Sequence, residues 1–552
     1  MDDGSQGRES RGAMRQTTTV EPVDALRGGG RAAIVRLVVA ELDRVRPQGP
    51  ALNAGAALTD VGVDEQRFLD AVARIEGRYQ MRFRSDWLDR VHTCGDLVDC
   101  IADHMLDAAD GSAAPAAPPT AADAAFEIRG RSGGAAAFPR RSAPRDTPAA
   151  AADDPFPECA ALEERLATLA ADGLEDPFRI PVASVHGRTV RIRGRQVVNF
   201  TSFDYLGLAG HPAVTQAAKQ AIDRYGCSAS ASRMVGGNSV LHDELDAELA
   251  AFVGTERAVV FPCGYGTNGS IFGHLFGPED LILYDELSHN SIVHGAAASR
   301  AGKRSFRHND HRQLDRLLRD LRGQYRRVVV ALEGVYSMDG DYPDLPRFIE
   351  VKRRHDALLY VDEAHSLGTM GPGGRGICEF FGCDPADGDL WMGTISKALG
   401  AGGGFLAGSE RLIRYLGYTT PAFVFSTACS PPNAAAALES LRVVRREPWR
   451  VTRLRERSEL FLKLAADCDL DTGSSADTPI VPVIVGSSQR AIRVSQRLLE
   501  AGINARPILY PAVREAAARV RFFITCEHTE EQIADAVATV AEIVHDTATR
   551  PR

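Results

Sequence analysis

Two apolar runs that each stop at an ionisable side chain constrain this chain more than any other feature. One is Leu358-Leu-Tyr-Val-Asp362; the other is Trp391-Met-Gly-Thr-Ile-Ser-Lys397, followed by glycines 400, 402, 403 and 404. Short runs of this composition read as buried strands. In α/β sheets, ligands bind beyond the carboxyl ends of the strands, where Asp362 and Lys397 would stand. The same pattern has plainer readings. A lysine beside a glycine-rich turn can be an exposed loop residue, and an aspartate at a strand end can cap a helix.

A lysine at the mouth of a buried strand can lose its proton and attack a carbonyl, the chemistry of a Schiff base, for which pyridoxal phosphate (PLP) is the usual partner. A buried carboxylate is tolerated only beside a positive charge. The protonated pyridine nitrogen of PLP would supply that charge at Asp362, and His365 could turn toward the ring hydroxyl or the Schiff base. Two further stretches suit the same cofactor. Ala258-Val-Val-Phe-Pro-Cys-Gly-Tyr-Gly-Thr-Asn-Gly269 reads as a strand, a glycine turn and a helix start, which offers free N–H groups to a phosphate. Leu281-Ile-Leu-Tyr-Asp-Glu-Leu-Ser-His289 puts a histidine just past another apolar run, placed either to stack on a ring or as an ordinary surface residue.

With these motifs and Glu333-Gly-Val-Tyr-Ser-Met-Asp-Gly340, Asp362-Glu-Ala-His-Ser-Leu-Gly368 and Phe425-Ser-Thr-Ala428, the chain resembles the α-oxoamine synthases from about residue 160 to 545. These are PLP enzymes of the aspartate-aminotransferase fold. The resemblance implies a fold type I α/β large domain with a smaller C-terminal domain, together spanning 158–552. It implies that Lys397 holds the cofactor, Asp362 pairs with the pyridine nitrogen and His289 stacks on the ring. Gly264, Tyr265, Ser337, His365 and Thr394 would contact PLP, and Thr427 would reach a phosphate across a homodimer interface. Arg506 would grip the amino acid's carboxylate as a two-pronged pair, with Arg521 as second candidate, although residues 518–524 also read as an edge strand with outward charges. The implied reaction joins a small amino acid (glycine, alanine or serine) to an acyl thioester with loss of carbon dioxide, giving an α-amino ketone. Lys397 would act as base, with His289 and His365 assisting. One departure stands out: Phe203 replaces an asparagine that many relatives carry and that can contact the carboxylate. Asn199, four residues earlier, is the nearest amide in the sequence and a candidate substrate contact, although it is not placed to substitute for that asparagine directly.

The N-terminal part resembles something else. Residues 31–108 read as helical, and Leu58-Thr-Asp-Val-Gly-Val-Asp-Glu-Gln-Arg-Phe-Leu69 and Thr93-Cys-Gly-Asp-Leu-Val-Asp-Cys-Ile101 resemble an acyl carrier protein. Glu65 stands where carriers have the serine that takes phosphopantetheine, so this domain is expected to dock rather than to carry an acyl chain. Residues 1–30 read as disordered, and 109–157, rich in Ala and Pro, as a linker. The fused domain points to a thioester delivered by a separate carrier protein, with acyl-CoA as the other donor.

At 552 residues with 44% hydrophobic content, the chain exceeds one ordinary domain and can bury large cores. A net charge of −9 argues against a general nucleic-acid binder. No apolar run is long enough for a membrane span and no signal-like core opens the chain, so a cytoplasmic protein is expected. The ten cysteines are scattered without metal-like pairing, and no metal site is expected. The alternatives are another fold type I enzyme, such as an aminotransferase, or an inactive docking scaffold.

Overall fold

The computed structural model describes residues 156–549, together with 37–40, 42, 75, 97 and 98. The chain divides into two units, Met1–Pro148 and Ala149–Arg552. The disordered segment, Glu65 with almost all of the carrier-like domain, and almost all of the linker expected from the sequence lie outside the described residues. The second unit carries everything below.

Among the described residues, thirteen strands form three sheets. In chain order they are β1 (Thr189–Ile192), β2 (Arg195–Asn199), β3 (Arg257–Phe261), β4 (Asp280–Asp285), β5 (Gly302–Phe306), β6 (Arg327–Glu333), β7 (Leu358–Asp362), β8 (Leu390–Thr394), β9 (Gly404–Gly408), β10 (Ile480–Ile484), β11 (Ile503–Asn504), β12 (Arg506–Ile508) and β13 (Arg519–Phe523). Seven of them make one sheet, ordered β3-β9-β8-β7-β6-β4-β5, parallel except for β9, which runs against both neighbours. Helices cover both faces, so β6, β7 and β8 are buried along nearly their whole length. This is why they read as continuous apolar runs instead of alternating ones. The two runs that open the sequence reading are therefore adjacent central strands.

The parallel strands all point one way, and their carboxyl ends deliver the polar residues. Beyond β3 helix α1 (Gly264–Leu275) begins, and beyond β4 helix α2 (Asn290–Ala298) begins. Glu333, Asp362 and Thr394 are the last residues of β6, β7 and β8. The turn after β8 carries Lys397 before β9 returns through the middle of the sheet.

A smaller antiparallel sheet, β10-β13-β12, follows in the C-terminal part, and β1-β2-β11 forms the third. Here the structure corrects the sequence reading. Strand β13 is central, paired on both sides, and its charges do not point outward. Arg519 is buried, donating to the Met338 carbonyl at 2.8 Å and pairing with Asp339 at 2.6 Å. The arginines are tolerated inside because the loop after β6 meets them with carbonyl and carboxylate oxygens.

Candidate active site

Lys397 lies among buried groups at the carboxyl ends of β7 and β8. Burial lowers its ammonium pKa to about 8 against the raising effects of Asp362 and Glu333. Asp362 is buried and held from two sides, its Oδ2 accepting from the Asn268 amide at 2.7 Å and its Oδ1 from the Ala364 N–H at 2.9 Å. Asn268, in the second turn of α1, is itself fixed: its amide also donates to the Ser291 hydroxyl at 2.9 Å, and its oxygen accepts from Tyr360 at 2.5 Å. His289 caps α2, with Nδ1 2.6 Å from the Ser291 hydroxyl. Burial lowers the His289 pKa, with Asp362 acting the other way. The His289 backbone N–H donates to Glu333, a carboxyl pushed well up by burial and by Asp362.

A cradle for an anion opens beside this group. Helix α1 starts at Gly264, where its first N–H groups have no intrahelical partner. A Cβ on Gly264 would stand 3.3 Å from the Thr394 hydroxyl, so a side chain there would crowd the mouth of the cradle. Thr394 bonds the Ser396 hydroxyl at 2.6 Å and donates to the Gly403 carbonyl at 2.7 Å. Tyr265 is partly exposed at the rim, its ring 6.1 Å from that of His289 and its hydroxyl bonded to Asn290 at 2.7 Å.

On the opposite side, His365 shares a 2.7 Å hydrogen bond with the Tyr205 hydroxyl and is kept neutral, its pKa far below the usual range through burial and then the charge of Lys397. Arg521 reaches in from β13. Its guanidinium donates to the Ser337 carbonyl at 2.6 Å and lies 4.5 Å from the centre of the Phe523 ring, and burial lowers its pKa to about 10. Its Nε is buried and without a partner among the described residues. A buried donor left unpaired costs stability, so this one has the character of a group kept for a ligand.

Arg506 lies directly opposite Arg521 in the β12–β13 register, so the two side chains leave the same face of that sheet; burial lowers the Arg506 pKa, and Arg193, in the hairpin between β1 and β2, lowers it further. One sequence expectation is corrected here. Asn199 ends β2 away from the site. Its amide donates to the Gly187 carbonyl at 3.0 Å and its oxygen accepts from Thr201 and Asn504, both at 2.8 Å, so no part of the buried side chain is free for a substrate. Ser337 lends its carbonyl to Arg521, and Thr427 lies exposed on the surface. Asn268, Tyr205, Glu333 and Phe523 were missed by the sequence reading.

A lysine with its proton loosened, a carboxylate buried without a cation of its own and a helix N-terminus beside two hydroxyls form a donor set that fits PLP. A fold type I PLP enzyme is the class that this sheet and this site define. Residues 195–540 match the family described as "Aminotransferase class I and II". The 8-amino-7-oxononanoate synthase of Symbiobacterium thermophilum is 39% identical over 382 residues, covering 69% of this chain and 97% of that protein. The serine palmitoyltransferase of Sphingomonas wittichii superposes with a TM-score of 0.69 at 31% identity, covering 72% of this chain and 100% of that one. A serine palmitoyltransferase solved with PLP gives a TM-score of 0.69 at 29% identity. The chain belongs to the α-oxoamine synthase family, PLP-dependent acyltransferases that join an amino acid to an acyl thioester with loss of carbon dioxide.

Proposed function

We propose that Lys397, Asp362, His289, His365 and Arg521 together carry the condensation of a small amino acid with an acyl thioester. The observation that carries this reading is the buried Lys397 amine, which feels the charges of Asp362 and Arg521, together with the unpartnered Nε of Arg521. When bound, PLP supplies an electron sink for negative charge at the amino acid's α-carbon. Lys397 would hold it covalently, Asp362 would pair with its ring nitrogen under the control of Asn268, and Gly264, Tyr265, Thr394 and Ser396 would hold it at the α1 end.

Arg521 binds the amino acid's carboxylate and so places the α-carbon between itself and Lys397. The Lys397 amine, once free, takes the α-proton; with its pKa at about 8 it is neutral often enough at pH 7 to do so. The α-carbon bonds to the thioester carbonyl carbon, the C–S bond breaks and the thiolate departs, taking its proton from solvent. The carboxylate then leaves as carbon dioxide and the α-carbon is reprotonated from Lys397. His365, neutral and oriented by Tyr205, and His289 can each donate a hydrogen bond to oxygen as charge develops.

A homodimer accompanies this reading. Val235 and Phe425 are 82% and 85% exposed. The Ala428 N–H donates to the Ala231 carbonyl at 3.0 Å, tying their two segments into one apolar surface beside Thr427. From there Thr427 would reach the cofactor phosphate of a second copy. The carrier-like resemblance of residues 31–108 supports a thioester presented on a separate carrier protein. A cytoplasmic setting accords with the eight cysteines among the described residues, all free.

The test is to give the PLP-loaded protein glycine, alanine or serine with an acyl-CoA, and separately with the same acyl group on a carrier protein. Thiol release, carbon dioxide and an amino ketone identified by mass spectrometry are expected together. Conversion of PLP to its amine form by the amino acid alone, with no thiol released, would instead identify an aminotransferase. A clear preference for CoA would remove the carrier protein from the reading.

A further inference from the structure

Phe203 occupies the open side of the site. Its ring centre lies 5.8 Å from the Lys397 amine, 4.7 Å from the Phe523 ring and 5.7 Å from the His365 ring, the two ring pairs meeting edge to face. Phe523 in turn carries the Arg521 guanidinium over its face. A continuous aromatic wall therefore runs from the lysine amine to the arginine, beside the space that a bound amino acid would span. Phe523 is buried beneath, whereas Phe203 is 38% exposed and forms the lip.

The segment that carries Phe203 has no spare hydrogen-bonding group to offer. Along the segment carrying Phe203, the Thr201 hydroxyl bonds Asn199 at 2.8 Å and the Ser202 hydroxyl donates to the His186 carbonyl at 2.8 Å. The Asp204 carboxylate accepts from the Leu208 and Ala209 N–H groups at 2.7 and 3.1 Å, and the Tyr205 hydroxyl is shared with His365. A methyl group against this wall is removed from water at a gain. A hydroxyl in the same place gives up its bonds to water and finds no replacement on the two phenyl rings.

We propose that Phe203 is a specificity-determining residue, forming with Phe523 an apolar wall of the amino-acid subsite that selects a small apolar side chain over a hydroxyl-bearing one, alanine over serine. The proposal rests on the reading that the amino acid lies between Lys397 and Arg521. An apolar pocket discriminates against an added hydroxyl by about ten- to a hundred-fold, which sets the size of the effect.

The experiment is a spectrophotometric titration of the PLP-loaded protein with L-alanine and with L-serine, for the wild type, Phe203→Asn and Phe203→Leu. Retention of the cofactor spectrum shows that each variant is folded. The wild type is expected to bind alanine about ten- to a hundred-fold more tightly than serine. Phe203→Asn is expected to bring the ratio close to one by tightening serine binding, and Phe203→Leu to keep the alanine preference. Equal affinities in the wild type, or a ratio unmoved by Phe203→Asn, overturn the proposal while leaving the Arg521 anchor standing. If Arg521→Lys leaves both affinities unchanged, or neither amino acid alters the spectrum, the anchoring itself fails and the proposal with it.

Discussion

Lys397 owes its reactivity to where its amine is buried, and that has a measurable consequence in pH. The amine must be unprotonated to capture PLP, and burial brings its pKa down to about 8. The rate of PLP capture by the apo protein is expected to rise with pH up to about 8 and then level, where an exposed lysine would keep gaining to about 10.5. Stopped-flow absorbance checks this, and a rate still climbing at pH 10 would contradict the burial account. Removing the amine in Lys397→Ala should lower turnover by at least about a thousand-fold, the loss of both the covalent tether and the base. The carboxylate anchor is tested in the same assay. Arg521→Lys keeps the charge but loses the planar fork, and should raise the amino-acid KM on the order of tenfold, the weight of one charge-assisted hydrogen bond. The sequence offers Arg506 and Arg521 on neighbouring apolar stretches, and only the structure shows that Arg521 meets the loop after β6.

Strand ends are stapled to one another away from the chemistry. His308, just beyond β5, sits 2.8 Å from Asp285 at the end of β4 and 2.9 Å from Asp341 in the loop after β6. Burial opposes its charge, but the two carboxylates outweigh it and push its pKa up to about 10. A histidine whose folded pKa is raised contributes stability that is fully present below its unfolded value near 6.5 and is lost as pH rises through about 10. Chemical denaturation across that range should show stability falling, and His308→Gln should flatten the fall. Close packing at the cradle is a second property of elements. A Cβ on Gly404, the first residue of β9, would come within 2.6 Å of the Gly264 Cα. Gly404→Ala should therefore cost about 1–3 kcal/mol of stability through overpacking and weaken PLP retention, since the backbone it displaces is the start of α1. At this scale the sequence was legible for β3, whose apolar run ends at a glycine turn, and for β4, β7 and β8, whose runs end at a polar residue. It misled for β13, whose alternating arginines suit an exposed edge as well as a buried strand facing oxygen atoms.

A second copy is the expected partner of the exposed apolar surface around Val235 and Phe425. Replacing both with aspartate is expected to give a monomer by analytical ultracentrifugation and to weaken PLP binding, because Thr427 lies on the same surface. A monomeric variant with unchanged cofactor affinity would show that each site is complete within one chain. Among the described residues no helix is long and apolar enough to cross a membrane.

The apolar runs, their lengths and the residues at their ends were enough to place Asp362, His289 and Lys397 at strand ends beside a glycine-opened helix, since a strand covered on both faces must be apolar until it leaves the sheet. The sequence also marked Phe203 as unusual. Only the tertiary structure decided what surrounds these residues. That Asn268 steadies Asp362, that Tyr205 orients His365, that Asn199 is consumed within a small sheet and that Arg521 meets the loop after β6 are all contacts between segments far apart in the chain. Such contacts depend on strand order and on the packing of the C-terminal sheet against the loops of the large one, and local residue patterns carry no record of either.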